Sequence, residues 1–180
     1  MKQTGGFESL YLACLLVIIC LLPILRSGLY SDDIRNFDVA SSFKHIPAFK
    51  FISSAQHEID DWKDSGRYTP VAFFLQNFVF DYFNSVSGYK TFLLICNLLA
   101  VGSFMFLLFS FGLTGNFIAL FVFLYSAEIQ FRIQYHDAFT SLNGMYPLLT
   151  AIICLSVGFL SRFLGTNKRY YSLSALFSCV

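Results

Sequence analysis

Apolar positions along this chain gather into long unbroken runs and do not alternate with polar ones. Leu10 to Leu25 carries no charge and almost no polar residue. At about 1.5 Å per residue it falls slightly short of a ~30 Å hydrocarbon core. Phe7 and Ser9 extend it at one end, where Glu8 reaches back to the headgroups, and Arg26 snorkels at the other. A first span over about 7–25 is therefore predicted. A cleaved leader is the alternative, but Lys2 is the only basic residue ahead of the run and no small-x-small site precedes Arg26, so an uncleaved anchor is expected. Thr91 to Phe111 predicts a second full-length span, closed by Gly112-Leu113-Thr114-Gly115-Asn116, a breaker cluster that turns the chain straight back. The return arm, Phe117 to Ala127, is short for a ~30 Å core unless its outer end carries Glu128, Gln130 and Arg132. That makes a third span over about 114–132. Met145 to Leu164 predicts a fourth, and a further apolar run over 170–180 is too short to cross.

Between the first two spans the pattern changes. Thr69 as N-cap and Pro70 at the first helical position predict a helix running to Asn84. Asn77, Asp81 and Asn84 fall on one face with Gln76 beside them, while Phe73, Phe74, Phe78, Phe80 and Phe83 cover the rest. This amphipathic run suits a helix lying along the outer leaflet, the alternative being a short membrane crossing. The fold expected is all-α: a polytopic transmembrane helical bundle, one membrane domain over 1–180, with a long first outer loop carrying an interfacial helix.

Composition sharpens this picture. The 180 residues are 56% hydrophobic and only 13% charged, which is too apolar to cover the surface of a water-soluble domain of this size. Charges are also segregated: Thr91 to Ala127 has none, whereas Arg26 to Lys90 holds most of them. A net charge of +1 provides no basic field, so nucleic acid is excluded as a partner. Cys14, Cys20, Cys96, Cys154 and Cys179 all sit in apolar runs, and His45, His57 and His136 are scattered, so no metal-ligand spacing arises. No cofactor is called for, and nothing in the sequence indicates a divalent cation. Lys2 at the start and Arg162, Lys168 and Arg169 after the fourth span place the N-terminus in the cytoplasm by the positive-inside rule. The loops 26–90 and 128–144 then both face outside.

Candidate chemistry lies in those two loops. Asp32 and Asp33 form an adjacent carboxylate pair just beyond the first span, at a depth where a base reaches a lipid-borne substrate; their plain reading is as capping or solvated acids. Arg67, ahead of the amphipathic helix, suits either a phosphate fork or an interfacial anchor. In the second loop, Glu128 and Arg132 are spaced i, i+4, and His136 stands beside Asp137.

Asp32-Asp33 after the first span, followed by Trp62 and Gly66-Arg67 before an amphipathic helix, resembles the first outer loop of GT-C-type membrane glycosyltransferases. The likeness is nearest to bacterial O-antigen glucosyltransferases that use polyprenyl-phosphate sugars, and it covers about Leu10 to Pro147. The resemblance implies transfer of a sugar from a polyprenyl-phosphate donor to a cell-surface glycan or lipid acceptor, at the outer face of a bacterial inner membrane. It implies catalytic roles for Asp32 or Asp33 and for Asp137, with Arg67, Glu128 and His136 as substrate-binding residues. Such enzymes carry more spans, so the chain reads as an N-terminal portion that needs a C-terminal part or partner chain and is inactive alone. The competing classes are a transporter or channel fragment, with Asn97, Asn116 and Glu128 along a path, and a non-catalytic membrane subunit.

Overall fold

A computed structural model describes residues 5–29, 33–34, 37, 63, 79, 82–83, 85–129 and 144–166. Four α-helices account for most of them: α1 (Gly5–Leu21), α2 (Val86–Ser110), α3 (Gly115–Glu128) and α4 (Met145–Thr166). No strand occurs among the described residues.

Pro23 explains how α1 ends. Its ring removes a donor and crowds the preceding turn, and the chain tightens into a 3₁₀ segment, Leu22–Arg26. That segment is closed by Ser27, whose amide and hydroxyl both donate to the Ile24 carbonyl. Together these residues carry the apolar run over Phe7–Arg26, long enough to cross a membrane. Val86–Ser110 and Met145–Gly165 meet the same criterion, so three helices mark the chain as a membrane protein. The fourteen residues of α3 reach only about 21 Å at ~1.5 Å per residue, short of a ~30 Å core.

Two boundaries differ from expectation. α2 starts at Val86 and not near Thr91, because Ser85 adopts an extended backbone and its hydroxyl accepts the Gly88 amide as an N-cap. Lys90 thereby moves from the outer loop into the first turns of a membrane helix. At the other end of α2, Gly112 at φ 80° allows a Schellman closure: Gly112 N–H donates to Phe109 O and Leu113 N–H to Leu108 O. α3 then begins at Gly115 and ends at Glu128, four residues before the expected limit. Of the expected interfacial helix only Val79, Tyr82 and Phe83 are described, and the terminal run 170–180 and positions 130–132 lie outside the described residues.

The helices associate mainly as α2 with α4 and α1 with α3. Both pairs run parallel. Ser9 near the start of α1 donates to Asn116 at the start of α3, 2.8 Å away. Ser161 late in α4 donates to the carbonyl of Ser110, the last residue of α2. The α2–α4 contact is close because Gly158 offers no Cβ; one built there would lie 2.7 Å from the Phe106 ring. The 3₁₀ end of α1 packs against α2. Consequently the segments 30–84 and 130–143 leave the helices at one end, and the Phe111–Thr114 turn lies at the other.

The core is a stripe of Ala13, Val17, Leu21, Leu93, Ile118 and Val122 where the helices meet. Outward faces are apolar too, with Leu12, Ile19, Ile95, Phe121 and Ile153 all exposed. In water such a surface would drive aggregation; facing lipid, it is the expected exterior.

Candidate functional site

Where α1 ends and α2 begins, three polar side chains are wholly buried: Asp33, Tyr89 and Lys90. The Tyr89 hydroxyl donates to Asp33 Oδ2 at 2.8 Å, linking residues 56 positions apart in sequence. Lys90 Nζ lies 5.2 Å from the centroid of the Tyr89 ring. This arrangement follows from the early start of α2: five residues gained at its N-terminus put Tyr89 and Lys90 on helical backbone beside the 3₁₀ end of α1. An aromatic edge completes the surroundings. Val79 is fully buried in the core, and the Phe83 ring lies 5.1 Å from both Tyr82 and Phe92.

Burying a carboxylate and an ammonium costs several kcal/mol per ion before partners compensate. Such groups persist where a donor reaches them or where function retains them. Tyr89 is one donor to Asp33, and its bond ties the carboxylate to α2. Held this way, the carboxylate is oriented and shielded from water.

Of the residues expected at a site, the structure describes Asp33 and Glu128. Asp33 is buried and hydrogen-bonded, not a solvated loop acid. Glu128 is exposed as the last residue of α3, at the end from which the segments 30–84 and 130–143 depart. Asp32, Arg67, His136 and Asp137 lie outside the described residues, so their convergence with Asp33 is not on view. Tyr89 and Lys90 are the residues that sequence reasoning missed. The signal available was Ser85 as an N-cap, which would have started the helix five residues earlier. Among the described residues no group of three or more His, Cys, Asp or Glu side chains is placed to hold a metal ion.

Polar groups deeper in the helices behave differently. Asn97, Ser126 and Ser156 each donate to the carbonyl four residues back in their own helix. Each of these bonds satisfies a carbonyl within the residue's own helix.

Compared with protein-family models, curated proteins and solved structures, the chain matches none of them.

Proposed function

We propose that this membrane protein serves glycosyl transfer from a polyprenyl-phosphate sugar to a glycan or lipid acceptor at the outer membrane face, with Asp33 as the general base. The observation that carries the reading is the buried Asp33–Tyr89 pair with Lys90 alongside, at the mouth of two membrane helices. In this reaction the acceptor hydroxyl attacks the anomeric carbon as the bond to the phosphate oxygen breaks. The electron pair leaves on the lipid phosphate and the hydroxyl proton passes to the carboxylate. A lipid donor keeps its tail in the bilayer, so the base must sit where a span emerges and the cations must lie at the same depth. Asp33 and Lys90 are candidates of that kind. Asp32 and Asp137 as further acids, and Arg67, Glu128 and His136 as phosphate or acceptor contacts, complete the proposal, with any remaining chain or partner supplying further walls.

The alternative is a transporter or channel fragment with Asn97, Asn116 and Glu128 along a path. The test is sugar transfer in membranes of the source cell whose genomic copy carries Asp33→Asn. Loss of the base predicts a fall of about 100-fold or more. Transfer at the unsubstituted rate, with normal protein levels, would remove Asp33 from the mechanism.

A further inference from the structure

Away from Asp33, two sulfur atoms face each other across a seam between helices. The Cys14 thiol on α1 donates to the Met105 thioether on α2, with the sulfurs 3.9 Å apart. Elsewhere α1 and α2 touch little, because α1 is held by α3 and α2 by α4. Cys14 stands seven residues, about 10 Å, from the start of the apolar run Phe7–Arg26, and Met105 stands five residues, about 8 Å, from the end of α2. The two helices are antiparallel, so the pair lies in the half of the membrane nearer the Phe111–Thr114 turn. Ala13 and Val17 on α1, and Val101 and Leu108 on α2, neighbour it and are buried. Cys14 and Met105 themselves are half-buried.

Ligand type and charge together narrow what such a pair can hold. Thiolate and thioether are soft donors, which select Cu(I) over the cations that seek oxygen. In hydrocarbon the net charge of the complex decides whether it persists. One thiolate with one thioether carries a single negative charge, so a monovalent ion leaves the complex neutral and a divalent ion does not. Geometry agrees. With metal–sulfur bonds of about 2.3 Å, sulfurs 3.9 Å apart subtend about 115° at a shared ion, close to a trigonal angle with one position open. The thiol proton already points along the line between the two sulfurs, where the ion would replace it. In that exchange the S–H bond breaks, an S–Cu bond forms, the proton passes to solvent and no electron is transferred.

We infer that Cys14 and Met105 form a site for one Cu(I) ion between α1 and α2. It uses none of the residues of the glycosyl-transfer reading and stands or falls apart from it. The test is Cu(I) binding by the full chain in lipid nanodiscs, measured by competition with the chelator bicinchoninate. Cys20, Cys96, Cys154 and Cys179 are replaced by alanine so that Cys14 is the one thiol left. This chain is expected to take up one ion and to release about one proton with it. Its X-ray absorption spectrum should show a first shell of two or three sulfurs at about 2.3 Å. Met105→Leu keeps the helix and the volume but removes the thioether, and should weaken binding about tenfold or more. Cys14→Ala should abolish it. A second measurement needs none of the four alanines: Met105→Leu in the otherwise unsubstituted chain should lose one tightly bound Cu(I). Equal affinity in the parent and Met105→Leu chains at unchanged helix content, a first shell containing a single sulfur, or uptake that survives Cys14→Ala would overturn the inference.

Discussion

Tyr89 donates a hydrogen bond to the buried Asp33 carboxylate, and that sets the first prediction at the residue scale. Tyr89→Phe keeps the ring and its packing but leaves a buried carboxylate one donor short, a loss of about 1–3 kcal/mol. Reversible unfolding of the purified protein in detergent measures it, and an unchanged midpoint would mean that the bond contributes nothing. Lys90 and Asp33 are buried in the same small region with opposite charges. Asp33→Asn and Lys90→Met are therefore predicted to be non-additive, with a coupling of about 1 kcal/mol or more in a double-mutant cycle. Strict additivity would separate the two charges energetically. Asp33 itself was legible in the sequence as an acid beside a span. Its partner was not, because nothing in the order of residues says that a tyrosine 56 positions later faces it.

At the scale of elements, what could be read from sequence was what hydrophobicity controls directly. The apolar runs at Leu10, Thr91 and Met145 each lie largely within a long helix, the first finishing in the 3₁₀ segment Leu22–Arg26, since a bilayer requires every backbone group to be paired inside the segment. The start of α2 was missed because a charged Lys90 reads as the edge of a span, whereas Ser85 caps the helix and the lysine is buried behind it. The pairing of α2 with α4, and of α1 with α3, depends on close approach at particular faces, which apolar runs alone do not specify. Gly158 is the clearest case. A Cβ at that position would sit 2.7 Å from Phe106 Cε1, and the Phe106 ring is already placed against Phe159 at 5.0 Å. Gly158→Ala is therefore expected to cost about 1–3 kcal/mol by overpacking, and Phe106→Leu in the same chain to recover part of it. Recovery is read from the thermal midpoints of the single and double variants; a Gly158→Ala chain as stable as the original would deny the close approach.

At the scale of the whole molecule, the described residues include three helices able to cross a membrane and a shorter α3 held against α1 by Ser9 and Asn116. Parallel pairing brings the segments 30–84 and 130–143 out at one end, with the Phe111–Thr114 turn at the other. The glycosyl-transfer account requires the first of these ends to face outward, since lipid-linked donors for surface glycans act there, and the charge distribution of Lys2, Arg162, Lys168 and Arg169 favours that orientation. The most direct measurement is labelling of intact cells with a membrane-impermeant thiol reagent, using single cysteines in a background lacking Cys14, Cys20, Cys96, Cys154 and Cys179. Ser53→Cys and Ser85→Cys are predicted to react from outside, whereas Thr114→Cys and Thr166→Cys react only after the membrane is opened. Reaction of Ser53→Cys and Thr114→Cys from the same side, or of Ser85→Cys only after opening, would contradict the account.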